Sequence, residues 1–349
     1  MVFFGSGAKS IAVTCWMPVG PGSARETGGG CGLEQSSYRA IPTRHRRDGT
    51  APSGPEVARS DLAAYPAAMD WLFLRGLARA AAHWDRQPAA LEAALPGDRV
   101  HTLDLPGIAT AVERRAPWSV AAMVGDLRER WLELRDGTPA AGPLGQARGE
   151  RTGAGPSGEP GRPWGILGIS LGGMVAMQWL ASHPTDFERG VVIVSSAANL
   201  SPPWRRMLPS CTPTYLAALF ARDVEARERR ILGVITNDDA RRPGLVAKNV
   251  ALAPTTPIPI PVAVRQLSAA TVWRAPRTLP VPTLFLGSDA DHMVHPGCTP
   301  KLATRFDMPC RMHPWGGHEL PHDDPDWVAA QVAAWLAETR AGRAARHDG

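Results

Sequence analysis

The chain has 349 residues, of which 44% are hydrophobic and 20% charged, so it is long enough for one large globular domain with additional segments. No apolar run approaches the ~20 residues that cross a bilayer, which excludes a membrane span and predicts a soluble protein. The formal net charge of +5 does not predict a nucleic-acid partner, because many arginines fall in segments that look unfolded rather than on one face. These arginines include Arg44, Arg46, Arg47, Arg148, Arg151 and Arg162.

Cysteine usage gives an expectation about the compartment. The sequence contains five cysteines, at Cys15, Cys31, Cys211, Cys298 and Cys310. They are odd in number and widely spaced, and none forms the Cys-x-x-Cys pair that is typical of metal or redox sites. We therefore expect a reduced, cytoplasmic protein.

The beginning of the chain differs in amino-acid composition from the rest. Residues 1–66 are rich in Gly, Ser, Arg and Pro and show no sustained period of 2 or 3.6, so they are predicted to form an irregular, disordered extension. Short apolar runs begin at Asp70, and the folded domain is predicted to cover residues 67–340. Residues 341–349 are predicted to be a C-terminal tail.

Strand-like runs and a helical pattern follow one another in the first part of this domain. Residues 71–74 and 100–105 are short apolar runs that end at glycine or proline, which predicts two buried strands. Ser119 is a predicted helix cap, because the apolar positions after it recur at helical spacing. Residues 137–162 contain one large aliphatic side chain, Leu144, so we predict a disordered insertion there.

The same alternation continues in the second part of the chain. A helical pattern at residues 174–181 separates two strand-like runs, and Asp324 followed by Pro325 predicts the start of a last amphipathic helix. Strands that alternate with helices indicate parallel βαβ units. We therefore predict an α/β fold with a doubly wound, mostly parallel sheet and helices on both faces. Its strand-like runs here are residues 164–169, 191–195 and 281–286.

A Gly-x-Ser-x-Gly motif is centred on Ser170, between a predicted strand and a predicted helix. This context is typical of a nucleophile elbow, in which a strained turn exposes the serine hydroxyl at the edge of a sheet. Gly168 and Gly172 permit the tight turn and the close approach of helix and strand. The alternative is an ordinary strand-to-helix turn with a capping serine.

A nucleophilic serine requires a base to remove its proton and a carboxylate to orient that base. The chain supplies both downstream of Ser170. Asp291 follows the predicted strand at residues 281–286, and His318 ends a Gly-Gly-His sequence before the last helix. Asp289 is an alternative acid, because it follows the same strand.

Other histidines near His318 offer further alternatives. His313 and His322 are competing bases, and His318 with His322 also has the four-residue spacing of two metal ligands on a helix. Pro321 lies between this pair and disfavours a continuous helix. We therefore predict no metal site.

Together these motifs resemble the α/β-hydrolase superfamily, in particular its single-domain bacterial esterase-like members, over roughly residues 70–338. The elbow, the Asp-x-x-Val sequence after a strand and the Gly-Gly-His before the terminal helix occur in the family's order. The resemblance implies Ser170 as nucleophile, Asp291 as acid and His318 as base. It favours Asp291 because the family's acid lies three residues before a hydrophobic residue, here Val294.

The resemblance also implies an oxyanion hole and a cap. The oxyanion donors would be the backbone N–H groups of Leu171, after the nucleophile, and Leu77, in the loop after the first strand. Arg75 replaces a histidine that is common in the family and alters the pocket, but it leaves the backbone donor in place. Residues 200–279 are expected to form a helical cap over the active site.

These expectations predict a serine hydrolase that cleaves a carboxylic ester or thioester of a small molecule and needs no cofactor. The same site could serve an amidase, an acyltransferase or a cofactor-free haloperoxidase-like enzyme. An alternative from another class is a hydrolase-like protein that binds a ligand without turnover. A serine at the elbow disfavours dehalogenases and epoxide hydrolases, which carry aspartate there. The sequence leaves the natural substrate and the oligomeric state open.

Overall fold

The structure, a computed structural model, describes residues 68–136, 161–219 and 221–347. The predicted extension at residues 1–66 lies outside these ranges, and so do residues 137–160 of the predicted insertion. Within the described ranges, no helix is long and apolar enough to cross a membrane.

Six strands of the described residues form one sheet in the order β2-β1-β3-β4-β5-β6, and every neighbouring pair is parallel. The chain adds β2 on one side of β1 and β3 to β6 on the other, which confirms the predicted doubly wound α/β fold. Sheets of this kind bind ligands at the carboxyl ends of the strands where the order reverses, here between β1 and β3. The strands are β1 (Asp70–Leu74), β2 (Arg99–Leu103), β3 (Trp164–Ile169), β4 (Arg189–Ile193), β5 (Thr283–Ser288) and β6 (Cys310–His313).

Helices surround the sheet and also fill the region between β4 and β5. The α-helices of the described residues are α1 (Gln87–Ala94), α2 (Val120–Asp136), α3 (Leu171–Ser182), α4 (Pro203–Arg206), α5 (Thr212–Leu219), α6 (Val224–Ile235), α7 (Arg242–Leu252), α8 (Ile260–Val272), α9 (Cys298–Phe306), α10 (Leu320–Asp323) and α11 (Pro325–His347). Short 3₁₀ helices lie at Ala81–Trp84 and Ala109–Ala111.

The continuous apolar runs of the strands are explained by burial on both faces of the sheet. In β1, Trp71 and Phe73 pack in one cluster with side chains of α1 and α11. Leu72 and Leu74, which point the other way, pack in a second cluster with side chains of α2, α3 and α9. Because successive strand residues face opposite sides, a strand covered on both faces is apolar at every position.

Ser119 and Asp324, the predicted N-cap residues of two helices, have the expected geometry. Ser119 Oγ accepts a hydrogen bond from the backbone N–H of Ala122 at 3.2 Å, and Asp324 Oδ1 accepts one from Trp327 at 2.9 Å. Both bonds satisfy N–H groups that have no partner within their own helix. Helix α11 continues to His347 and so includes residues 341–347 of the predicted C-terminal tail. This stretch is rich in alanine and arginine, which favour helix without an apolar stripe.

Arg162, the last residue of the predicted insertion, contacts the folded domain. Arg162 Nη2 donates hydrogen bonds to the carbonyl oxygens of Gly97, at 2.7 Å, and Met69, at 3.1 Å. Its Nε lies 3.3 Å from Asp70 Oδ2, and the Asp70 side chain is fully buried at the start of β1. A buried carboxylate requires a cationic or hydrogen-bonding partner, so Arg162 belongs to the folded domain.

Five helices, α4 to α8, lie within the predicted cap region at residues 200–279. The cap has an apolar cluster of its own, in which Tyr215, Ile231 and Leu245 pack with Met293 and Val294 from the loop after β5. Asp223 is the N-cap of helix α6, and its carboxylate accepts hydrogen bonds from two backbone N–H groups of the first turn. The cap is thus packed directly on a loop at the carboxyl edge of the sheet.

Candidate active site

Ser170 occupies the sharp turn between β3 and α3. Its backbone has φ 55° and ψ −115°, a conformation that residues other than glycine rarely adopt. The Ser170 N–H donates to Ile193 O at 2.9 Å, and Ser195 Oγ donates to Ser170 O at 3.0 Å. Bonds to the neighbouring strand β4 and the residues after it therefore hold the strained turn in place.

The glycines on either side of Ser170 are required by close backbone approach. A Cβ atom on Gly168 would lie much closer to Gly172 O than the van der Waals contact distance allows. A Cβ atom on Gly172 would clash in the same way with the carbonyl oxygen of Leu74 in β1. The motif is thus explained by the packing of the turn against β1 and α3.

The loop after β1 runs directly alongside Ser170. A Cβ atom on Gly76 would lie 3.3 Å from Ser170 Cβ, so the two backbones are close neighbours. The next residue, Leu77, lines the cavity in front of Ser170. Ala78, at a φ of 52°, donates its N–H to Gln266 Oε1 of α8 at 3.0 Å. The loop is therefore fixed from the cap side by a residue that the sequence patterns did not single out.

Leu171, the other predicted oxyanion donor, is the first residue of α3 and is buried. The first N–H groups of a helix have no partner within the helix and carry its positive dipole end. Leu171 and Leu77 thus lie on the two sides of Ser170, one on the helix start and one on the neighbouring loop.

His318 and Asp291 form a buried hydrogen-bonded pair. His318 Nδ1 lies 2.8 Å from Asp291 Oδ2, and their side chains are 5% and 3% exposed. Asp291 Oδ1 accepts hydrogen bonds from the backbone N–H groups of Met293, at 2.8 Å, and Val294, at 2.9 Å. These two bonds fix the carboxylate, and the side chain of Val294 packs in the apolar cluster of Tyr215 and Ile231.

The competing acid and bases are engaged elsewhere. Asp289 is exposed, and its backbone N–H donates to His313 O at 2.9 Å. His313 Nδ1 accepts from Gly316 N at 2.7 Å, and its Nε2 lies 3.3 Å from Asp324 Oδ2. His322 Nε2 donates to His83 O at 2.6 Å. Among the predicted acids and bases, the structure brings Asp291 and His318 together.

The electrostatic environment of His318 has opposing contributions. Burial lowers the pKa of His318, but the charge of Asp291 and its hydrogen bond outweigh burial, so the pKa is raised above its usual value. With Nδ1–H donated to Asp291, the other ring nitrogen, Nε2, is left as the proton acceptor of the neutral ring.

Ser170 and His318 line one cavity, whose wall also contains side chains of α5 and α6. Its empty volume, including open solvent at the mouth, is about 340 Å³. The remaining wall is mostly apolar, and burial raises the pKa of one wall residue, Tyr215, to about 12, so its hydroxyl is neutral. The wall residues include Leu77, Arg79, Tyr215, Ile231, Ile235 and Met293. The cap therefore contributes directly to the cavity.

Asn237, after helix α6, joins the loops that carry Asp291 and His318. Its side-chain Nδ2 donates to Ala290 O at 2.9 Å and to Trp315 O at 2.9 Å. The carboxylate of Asp323 accepts from the backbone N–H groups of Asn237 and Gly317. Neither residue is singled out by the sequence, because a lone Asn or Asp in a loop more often makes a local turn.

Arg75, predicted to alter the pocket, pairs with the residue that follows His318. Its two Nη atoms donate to Glu319 Oε1 and Oε2 at 2.8 and 2.9 Å, and its guanidinium lies over the Trp84 ring at 4.7 Å. Burial alone would raise the pKa of Glu319, but the charge and hydrogen bonds of Arg75 lower it to about 2. Arg75 thus holds the loop that carries His318 through its pair with Glu319. Arg75 itself does not line the cavity.

The described part of the chain contains no group of three or more His, Cys, Asp or Glu side chains placed to hold a metal ion. The polar side chains that line the cavity are those of Ser170, His318, Tyr215, Arg79 and Glu319. This set is suited to proton transfer and nucleophilic attack.

Comparisons with known proteins address the family and the fold of the chain. The family model described as the alpha/beta hydrolase family matches residues 71–331. No curated protein matches the sequence significantly.

Several solved structures are similar in fold at low sequence identity. An enol-lactonase from Burkholderia xenovorans LB400 is 16% identical and has a TM-score of 0.56, with 77% of this chain and 91% of that chain covered. A hydrolase from Pseudomonas aeruginosa PA01 is 19% identical with a TM-score of 0.56, and 78% and 91% are covered. A thioesterase from the prodiginine biosynthetic pathway of Streptomyces coelicolor is 15% identical with a TM-score of 0.50, and 84% and 91% are covered.

Proposed function

The chain belongs to the alpha/beta hydrolase family, and from this premise we propose that it is a serine hydrolase that cleaves a small carboxylic ester or thioester through an acyl-enzyme. One observation carries the proposal. A strained serine and a histidine hydrogen-bonded to a buried carboxylate face the same small cavity. This combination provides a nucleophile, a base and an orienting acid.

The first chemical step is acylation of Ser170. Ser170 Oγ forms a bond to the carbonyl carbon of the substrate, and its proton passes to His318 Nε2. Asp291 holds the ring through Nδ1 and stabilises the imidazolium that forms. The tetrahedral oxyanion receives hydrogen bonds from the N–H groups of Leu171 and Leu77. As the C–O or C–S bond breaks, His318 returns the proton to the leaving group.

Deacylation repeats these roles with water. His318 takes a proton from a water molecule as its oxygen attacks the acyl carbon, and the proton is then returned to Ser170 Oγ as the acid is released. All proton transfers pass through His318, so no redox partner or cofactor is needed. The size of the cavity favours short acyl groups.

The test is activity on p-nitrophenyl esters of increasing acyl length, with Ser170→Ala as the decisive variant. We expect turnover of the shorter esters by the wild type and a loss on the order of 10⁴ or more in Ser170→Ala. Ser119→Ala is the matched control, because Ser119 caps α2 away from the cavity. Wild-type turnover in Ser170→Ala would contradict the proposed nucleophile.

Covalent labelling separates an enzyme from a protein that only binds a ligand. A fluorophosphonate probe reacts with activated serines, so we expect labelling in the wild type and in Ser119→Ala but not in Ser170→Ala. Failure to label the folded wild type would favour the ligand-binding alternative. Labelling without release of acid from esters, but with transfer to an added alcohol, would favour an acyltransferase.

A further inference from the structure

Arg79 is a buried arginine of the loop after β1 that lines the cavity of Ser170 and His318. Its side chain is 5% exposed. Arg79 Nη1 donates to Glu228 Oε2 at 2.6 Å, and Asn249 Nδ2 donates to the same carboxylate oxygen at 3.0 Å. Arg79 Nη2 is buried and has no hydrogen-bond partner in the part of the chain that the structure describes.

An unpaired N–H of a charged guanidinium in a buried position is unfavourable, and nearly all such groups in proteins have an acceptor. Burial disfavours the charged form, but the carboxylates of Glu228 and Glu319 raise the pKa of Arg79 above its usual value. Arg79 is therefore a cation at the wall of the cavity, and its Nη2 is a hydrogen-bond donor without an acceptor. A substrate atom in the cavity can supply the acceptor.

Arg75 provides the contrast within the same loop. It also has a buried nitrogen without an acceptor, Nε, but both of its Nη atoms are bound to Glu319 and its guanidinium is stacked on Trp84. It is not part of the cavity wall. Arg75 thus stabilises the loop, whereas Arg79 is placed to contact a ligand.

The charges around Arg79 discriminate between kinds of acceptor. The cations of Arg75 and Arg79 are already matched by the carboxylates of Glu319 and Glu228. Glu319 is itself part of the cavity wall and is ionised, with a pKa of about 2. A substrate carboxylate would add an unmatched negative charge beside Glu319, which is unfavourable in a buried site. A neutral oxygen would accept the hydrogen bond without changing the net charge.

We propose that Arg79 determines specificity by donating a hydrogen bond from Nη2 to a second, neutral oxygen of the substrate, such as an ether, ketone or ring oxygen apart from the scissile carbonyl. This inference rests on the proposed hydrolase function. The substrate class is then small esters or thioesters whose acyl or leaving part carries an uncharged oxygen acceptor. Purely hydrocarbon esters leave the donor unpaired and are poorer substrates.

The test uses pairs of activated esters with equal shape, one member having an ether oxygen in place of a methylene group. The pairs are p-nitrophenyl methoxyacetate with butanoate, and 3-methoxypropanoate with pentanoate. Each kcat/KM is divided by the rate of hydroxide hydrolysis of the same ester, which removes differences in intrinsic reactivity. In the wild type we expect a preference of about tenfold or more for the ether member of at least one pair.

Arg79→Lys keeps the positive charge beside Glu228 but lacks the second planar N–H donor. We expect it to reduce the ether preference, after division by the hydroxide rates, to about one. Arg265→Lys is the matched control, because Arg265 Nη1 donates to Ala116 O and the residue lies outside the cavity wall. It should retain the full preference. If Arg79→Lys does not fold, Arg79→Met combined with Glu228→Gln removes both charges of the pair together and tests the same loss of preference.

The outcomes separate this inference from the proposed function. Equal use of both members of each pair, or a preference that survives in Arg79→Lys, would overturn the role of Arg79 while leaving the hydrolase intact. Selective cleavage of mono-p-nitrophenyl succinate over the 4-methylpentanoate ester would overturn the neutral-oxygen class in favour of an anionic substrate. Absence of turnover with every ester, together with no fluorophosphonate labelling of Ser170, would remove both proposals.

Discussion

The floor and the roof of the cavity are built in different ways. The floor consists of the loops at the carboxyl ends of β1, β3, β5 and β6, which carry Ser170, Asp291 and His318. The roof consists of cap side chains such as Tyr215 and Ile231. Many polar groups of the floor are held by backbone hydrogen bonds, as when Asp291 accepts from the N–H groups two and three residues later. The roof is held by apolar packing of α5, α6 and α7.

This difference indicates which part of the site can be changed without loss of turnover. A strained turn and a backbone-bonded carboxylate fix the reacting atoms in one geometry. Apolar helix packing instead tolerates exchange of side chains of similar volume. We therefore expect changes in the floor to reduce turnover and changes in the roof to redistribute substrates.

The largest effect is expected for Asp291→Asn, compared with Asp289→Asn on the same loop. An asparagine at 291 can still accept the two backbone hydrogen bonds, so the fold is retained. Its amide presents N–H rather than a carboxylate to His318 and favours the wrong ring tautomer, which should reduce kcat on the order of 10⁴. Asp289 is exposed, and Asp289→Asn should change kcat by no more than about twofold.

Both variants should be measured with one activated ester under the same conditions. A severe loss at position 289 together with near-normal turnover at position 291 would reverse the assignment of the acid. It would also contradict the view that the backbone-bonded carboxylate defines the floor.

The pH dependence of turnover tests the same pair by a second route. His318 must be neutral to act as a base, so kcat/KM should fall about tenfold for each pH unit below its pKa. Burial lowers the pKa of His318, but Asp291 raises it above the usual value, so activity should be lost at a higher pH than an ordinary histidine would give. In Asp291→Asn the raising contributions of Asp291 are removed and burial remains, so the acid limb of the residual activity should move to lower pH. A shift to higher pH would contradict this account.

A smaller effect is expected at Asn237, where the roof meets the floor. Asn237→Ala removes the two side-chain hydrogen bonds that tie the Asp291 and His318 loops together. We expect a loss of about tenfold in kcat with little change in KM, because the loops are positioned less well but the wall is unchanged. Asn199→Ala is the matched control, since Asn199 bonds to the backbone of Ala275 at the far end of the cap.

Both asparagine variants should lose about 1–2 kcal/mol of stability, which thermal unfolding can measure. Only Asn237→Ala should lose turnover. An equal loss of kcat in the two variants would show that general loosening of the cap, rather than alignment of the two loops, is responsible.

The floor could be predicted from the sequence to a greater extent than the roof. The strand, turn and helix around Ser170 follow from a local pattern, and the helix starts at Ser119 and Asp324 are confirmed. The catalytic roles of Ser170, Asp291 and His318 stay predictions. The patterns did not indicate α9, or α1, whose one large aliphatic side chain is Leu91.

The supporting residues could not be predicted because their partners are distant in the sequence. Arg75 and Glu319 are separated by 244 positions, and Arg79 and Glu228 by 149. No local period or motif relates such pairs, and a charged residue taken alone is most often solvated. Arg162 shows the same limit, since its composition suggests a loop while its contacts with Met69, Asp70 and Gly97 bring it into the domain.

The smallest effect is expected from a region that belongs to neither floor nor roof. Replacing residues 138–160 by a Gly-Ser linker of about eight residues should leave kcat/KM on an activated ester within about twofold of the wild type. The segment joins Gly137, which directly follows α2, to Gly161, shortly before the amino end of β3. Ser170 follows the carboxyl end of β3, roughly 20 Å away along the strand.

A second variant that also removes Arg162 is the control, because it deprives the buried Asp70 of a partner and should cost about 1–3 kcal/mol of stability. If the shorter replacement itself unfolds the protein or reduces turnover tenfold, the segment must contact the folded domain, and the division of the molecule into a floor and a roof would need a third element.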